Sequence, residues 1–260
     1  MSNIQQAFNH GKAFIGFVTG GDPTEAKSCE LILKMAEAGA DLIEIGIPFS
    51  DPIAEGPVIQ AANIRALASG CTVDSIFRIV EKVRKEIDTP LVLLTYLNPV
   101  YHYGYDAFFA RCAQTGVDGI IIPDLPFEEK GELSDVTAAH GIDLISLIAP
   151  TSAARIREIA ADAKGFLYLV SSMGVTGVRS EITTDLAAMV KLARSVCKVP
   201  IAIGFGISTP AQASLLSELA DGVIVGSAIV KIVETYGKEA ATPVHDFVKS
   251  MKDAISLHPQ

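Results

Sequence analysis

Eight short apolar runs recur along the chain, each closed by glycine, proline, serine, threonine, tyrosine or aspartate. They read FIGFVT (14–19), DLIEIGIP (41–48), LVLLTY (91–96), GIIIPD (119–124), DLISLIAP (143–150), GFLYLVSS (165–172), PIAIGFG (200–206) and GVIVGS (222–227). Each has the length and branched content of a strand covered on both faces. Between most of them lie longer segments with helical spacing. AKSCELILKMAEAGA sets Leu31, Ile32, Met35 and Ala36 on one stripe; TTDLAAMVKLARSV does the same with Leu186, Met189, Val190 and Ala193. A small repeat marks the junctions. Gly39-Ala40-Asp41, Gly116-Val117-Asp118 and Gly141-Ile142-Asp143 each close a helix and open a strand, and Ala220-Asp221 does so without the glycine. Eight β units alternating with helices over residues 1–260 predict an α/β fold, a single-domain (β/α)8 TIM barrel. An open doubly wound sheet is the alternative. The loops after strands 2 and 6 are long and glycine-rich, which predicts active-site loops.

One run breaks the pattern. In LIEIGIP (42–48) a glutamate, Glu44, interrupts an otherwise apolar strand. Burying an unpaired carboxylate costs roughly several kcal/mol, and the group sooner raises its pKa and neutralises. Alternation puts Glu44 on the face opposite Ile43, Ile45 and Ile47, so it points into the barrel near the mouth. Either a polar neighbour such as Tyr96 or Tyr168 ties it down, or it is a proton-shuttling acid. Glu55 follows eleven positions later in FSDPIAEGP. Pro48, Pro52 and Pro57 stiffen that loop, which can return Glu55 over the mouth. Asp51 and Asp124 read as loop organisers.

Net charge is −9, which argues against nucleic acid or anionic membrane as a partner. An anionic ligand therefore needs local donors. Glycines cluster where the last strands end: GVTG (174–177), GFG (204–206) and VGSAIV (225–230). Backbone N–H groups and the helix opened by Gly226-Ser227 suit a phosphate there. Phe17, Leu94, Ile121, Tyr168 and Phe205 can wall a pocket for a flat apolar body. No lysine lies within the eight runs, which disfavours Schiff-base chemistry. The five histidines fall outside the runs, and Cys29, Cys71, Cys112 and Cys197 lie far apart, so neither a metal site nor a disulfide framework is expected. The N-terminal segment lacks an apolar signal and no run approaches ~18 apolar residues, so the expectation is a cytoplasmic protein. What remains is proton transfer by carboxylates.

PFSDP at 48–52, GPVIQ at 56–60, GVTG at 174–177, GFGIS at 204–208 and GSAIVK at 226–231 resemble the tryptophan synthase alpha subunit family, in order and along the whole chain. The resemblance implies a (β/α)8 barrel that cleaves indole-3-glycerol phosphate to indole and D-glyceraldehyde 3-phosphate without a cofactor. It implies that Glu44 protonates indole C3 and handles the glycerol hydroxyl proton. Glu55, in AEGP where the family usually has ADGP, is implied to accept the indole N–H. Thr176 resembles the threonine that orients this second carboxylate, and Tyr168 a tyrosine beside the reacting carbon chain. Gly177, Phe205, Gly206, Gly226 and Ser227 match phosphate contacts. A beta subunit in an alpha2beta2 assembly is the implied partner and holds pyridoxal phosphate; the loop NPVYHYG (98–104) and Phe127 resemble parts of that interface. Two other readings are a different sugar-phosphate barrel enzyme, and an impaired subunit that only activates its beta partner.

Overall fold

The computed structural model describes residues 3–171, 179–204 and 206–256, with the side chains of 179–185 excepted. Nine strands form one parallel sheet: β1 (Ala13–Thr19), β2 (Leu42–Gly46), β3 (Leu91–Leu94), β4 (Gly119–Ile121), β5 (Asp143–Leu144), β6 (Ser146–Ile148), β7 (Leu167–Val170), β8 (Ile201–Gly204) and β9 (Gly222–Val225). Their order is β5-β4-β3-β2-β1-β9-β8-β7-β6. The two edges of this strip are consecutive in sequence, separated only by Ile145, so the strip rolls into a barrel. The fifth apolar run is thus one barrel strand in two pieces: β5 pairs with β4, and β6 pairs with β7. All eight runs are strands, and the (β/α)8 barrel replaces the open-sheet alternative.

The strands are buried on both faces for different reasons. Outward residues such as Phe14, Ile43, Ile45, Leu91, Leu93 and Ile203 pack under the helices. Inward residues Ile15, Leu42, Val92, Ile121, Ile145, Phe166, Ala202 and Ile224 form a plug, which Ile4 of the helix Asn3–Gln6 closes from below. Two residues further along the strands, the inward positions become Phe17, Glu44, Leu94, Pro123, Leu147, Tyr168 and Gly226. These surround a cavity at the C-terminal ends, as the barrel rule requires.

The junction repeat has a structural use at the opposite end. Gly39, Gly116 and Gly141 take positive φ of 98°, 86° and 71°, the conformation that stops a helix. Three aspartates of the repeat fasten strand starts. Asp41 accepts from Phe14 N–H (2.6 Å), Asp118 from Leu91 N–H (2.8 Å) and Asp221 from Ile201 N–H (2.8 Å). Each also meets a cation: Lys252 at 2.7 Å, Arg84 at 2.9 Å and Arg194 at 3.0 Å respectively. NPVYHYG, read as a loop, is instead mostly helix, Leu97–Tyr103. Proline in a first helical turn removes only an N–H that has no intrahelical acceptor. Asp124 accepts from Leu97 N–H at 2.9 Å, which is the organising role expected of it. All four cysteines are free thiols.

Candidate active site

A cavity of about 300 Å³ opens at the C-terminal ends of the strands. Its floor and walls are largely apolar: Phe17, Ile59, Leu94, Leu147, Tyr168 and Ile224 contribute. Of the pocket residues expected from sequence, Phe17, Glu44, Glu55, Leu94, Tyr168, Gly206, Gly226 and Ser227 all line it. Ile121 does not. It sits one inward position lower, in the plug, and Pro123 takes its place at the cavity wall. The reason is register: β4 ends at Ile121, and its next inward residue is at the rim. Thr176, Gly177 and Phe205 lie outside the described residues.

Glu44 stands at the floor. It is 1% exposed, and its Oε1 has no hydrogen-bond partner among the described residues. Loss of water around the carboxyl raises its pKa to about 8. The tethered alternative, with Tyr96 or Tyr168 holding that oxygen, is therefore not what the structure shows. At neutral pH the group is mainly the neutral acid, with a proton to give and an acceptor oxygen unengaged. The Tyr168 phenol lies near enough to feel Glu44, and burial together with that charge holds its pKa well above the ordinary value. Gly204 makes room for this ring: a Cβ there would sit 2.4 Å from the Tyr168 Oη and 2.7 Å from its ring carbons. Its lack of a side chain thus serves the tyrosine.

Glu55 occupies the lid side of the cavity and is held differently. Asn63 Nδ2, from the helix Pro57–Ala68, donates to its Oε2 at 2.6 Å. The Tyr96 hydroxyl accepts from Ala54 N–H at 3.1 Å and lies close enough to the same carboxylate to favour its charged form. Gln60 Nε2 donates to the Glu55 carbonyl at 2.8 Å. Burial raises the Glu55 pKa, and Asn63 and Tyr96 oppose that rise by stabilising the charged form. Two carboxyls with different environments thus face one cavity, the arrangement that separates acid from base roles. Sequence reasoning missed Asn63. The available signal was an asparagine beside Ala62 on a face that also carries Ala66, buried at 3% exposure where helices usually carry apolar groups.

The far end of the cavity carries donors. Gly206, Ile207 and Ser208 line it together with Gly226, Ser227 and Ala228. The helix Ser227–Tyr236 starts here, and its first-turn N–H groups have no intrahelical acceptors. The helix dipole adds to their attraction for an anion. Among the described residues there is no cluster of three metal-binding side chains, and no helix long and apolar enough to cross a membrane.

The comparisons with known proteins agree with this geometry. The family model described as tryptophan synthase alpha chain matches residues 3–256. A tryptophan synthase alpha chain of Lacticaseibacillus casei is 47% identical over 260 residues, covering 100% of this chain and 98% of its own. One from Lactiplantibacillus plantarum is 49% identical over 256 residues, covering 98% and 97%. The crystal structure of tryptophan synthase subunit alpha from Legionella pneumophila superposes with a TM-score of 0.90 at 38% identity, over 99% of this chain and 100% of that one. A structure of the tryptophan synthase a2b2 complex from Pyrococcus furiosus matches with a TM-score of 0.83 at 37% identity, over 94% and 99%. By its matched family model and its curated relatives, the chain belongs to the tryptophan synthase alpha chain family.

Proposed function

We propose that this chain cleaves indole-3-glycerol phosphate to indole and D-glyceraldehyde 3-phosphate by a retro-aldol reaction. The observation that carries the proposal is the pair of carboxyls in one cavity, a neutral buried Glu44 and a hydrogen-bonded Glu55. The phosphate binds at the N-terminus of the helix Ser227–Tyr236, with Gly206, Gly226 and Ser227 around it. The indole ring lies among Phe17, Leu94 and Leu147. Glu55 accepts the indole N–H and stabilises the positive charge that develops on the ring as C3 is protonated. Glu44 gives its proton to C3. It then takes the proton of the hydroxyl on the carbon next to the ring as the C–C bond breaks and that carbon becomes the aldehyde. The carboxyl is regenerated, and protons balance over the cycle.

Tyr96 and Asn63 set the position of Glu55. A glutamate where relatives of this type carry aspartate has an arm longer by roughly 1.5 Å. The Asn63 hydrogen bond, with the Tyr96 hydroxyl close by, fixes one end of that longer arm. Carboxylate chemistry alone accounts for the step, so no cofactor is assigned to this chain; pyridoxal phosphate belongs to the beta partner. A beta subunit is the partner that consumes the indole, and the assembly is alpha2beta2. Helix Leu97–Tyr103, with Tyr101 70% exposed, and the segment around Phe127 contribute to that interface. The setting is the cytoplasm.

The test is indole release from indole-3-glycerol phosphate by the purified chain, alone and with a beta subunit added. Release by wild type but not by Glu44→Gln, with substrate binding retained, is the expected result. Full turnover by Glu44→Gln overturns the role of Glu44. No release under either condition leaves only a partner-activating subunit.

A further inference from the structure

The barrel wall has a seam. The β4–β5 ladder ends where Ile145 N–H donates to the Ile120 carbonyl at 2.9 Å. Beyond it β6 pairs with β7 but not with the residues after β4. A second cavity, of about 220 Å³, lies against this seam on the outer side of the wall. The helices Gly131–Ala139 and Ala153–Ala161 help to wall it. Pro123 and Leu147 line both this cavity and the active cavity. Ile122, Leu125, Phe127, Leu144 and Ile159 make its interior apolar. For scale, a dry apolar cavity of about 150 Å³ takes up benzene, so this one has room for a bicyclic ring.

Its rim is cationic. Lys130, Arg155 and Lys164 stand around the opening. Lys130 meets Asp162 and Arg155 meets Glu128, but Lys164 is exposed with no carboxylate within ion-pair distance among the described residues. Lys164 is thus the cation at this opening whose charge no ion pair engages, in a protein whose net charge is −9. An unengaged cation at the rim of an apolar interior selects an amphiphile with one negative end. Ser134, Ser146 and Thr151 add hydroxyls at the same opening.

We propose that this lateral cavity is a second binding site, for a small aromatic carboxylate whose ring lies against Leu147 and Pro123 and whose carboxylate meets Lys164. The site is separate from the phosphate-binding active cavity, and the lyase reading does not depend on it. A ligand there presses on two residues of the active cavity from behind. Reciprocal linkage then makes its affinity depend on whether the active cavity is filled.

Calorimetric titration of the intact chain with indole-3-acetate tests this, with the active cavity saturated by indole-3-propanol phosphate, which lacks the hydroxyls the cleavage needs. One mole of indole-3-acetate binds per chain. Lys164→Glu weakens that binding by roughly five-fold, the scale of an exposed charge contact, and leaves the binding of neutral indole unchanged. Ser134→Leu, which fills the cavity, abolishes both. Circular dichroism and the indole-release assay, which neither variant alters, report folding and lyase activity independently. No binding with the active cavity filled, or equal binding by wild type and both variants, overturns the proposal.

Discussion

Replacing Glu44 with glutamine tests the physical basis of the proton donor without any substrate. The folded pKa of Glu44 is about 8, raised by desolvation from the ordinary 4.5. In the native state the carboxyl therefore prefers to keep its proton, whereas the unfolded chain releases it near the ordinary value. A group with a raised folded pKa contributes stability that is fully present below the unfolded pKa. That contribution falls as pH rises through the window from 4.5 to 8, and is constant above it. The slope across the window is about 1.36 kcal/mol per pH unit, so about 3.5 units sum to on the order of 5 kcal/mol. Glutamine keeps the shape and cannot ionise. The stability of Glu44→Gln relative to wild type should therefore climb by that amount between pH 4.5 and 8.5. Urea unfolding of both proteins at half-unit pH steps measures it, and taking the difference cancels every other titrating group. A difference that stays flat within ~1 kcal/mol across the window would refute the reasoning. Glu44 would then be an ordinary ionised carboxylate, unable to start the reaction as an acid.

Other expectations follow from the same geometry. Asn63→Ala leaves Glu55 without its 2.6 Å partner and should lower kcat about 10- to 100-fold with little change in melting temperature, read by steady-state indole release. Gly204→Ala puts a methyl group into Tyr168 and should lower kcat/KM by roughly 10-fold or more; an unchanged rate would show that the ring position is immaterial. Ser227→Asp sets a negative charge at the anion end, so KM should rise by roughly 100-fold with kcat much less affected. Asp118→Ala removes an acceptor for Leu91 N–H and a partner for Arg84. It should cost about 2–4 kcal/mol in chemical denaturation and leave kcat unchanged, because it lies at the end of the barrel away from the cavity.

The sequence carried the barrel because its signals are local and repeated. Apolar runs of strand length, helical stripes between them and a helix-stop glycine before an aspartate need no knowledge of distant contacts. Glu44 was legible for the same reason: one carboxylate in an apolar strand is conspicuous, and alternation fixes its side. Glu55 was legible through prolines and the family motif, but its holders were not. Asn63 and Tyr96 reach it from a following helix and from the end of another strand, and only the folded arrangement brings those three together. Ile121 was placed one step too high because where β4 ends depends on its pairing with β3. The helix Leu97–Tyr103 was hidden by its Asn-Pro pair, which reads as a turn unless the proline falls in a first turn. The division of the fifth strand at Ile145 has no local signal.

The aspartate fastenings at the lower end are indifferent to where the chain is cut. Arg84 stands seven positions before Leu91, and Arg194 seven before Ile201, each clamping the aspartate that opens the next strand. At Phe14 and Asp41 the same office falls to Lys252, from the helix Ala241–Ser256 near the other end of the sequence. Lys252 also donates to the Lys12 carbonyl at 3.0 Å, so the first strand is seated by the last helix as if that helix preceded it. The protein is thus a closed ring in three dimensions, although its chain is a line. A circular permutant that links the segment after Ile255 to the segment before Ile4 preserves every such fastening.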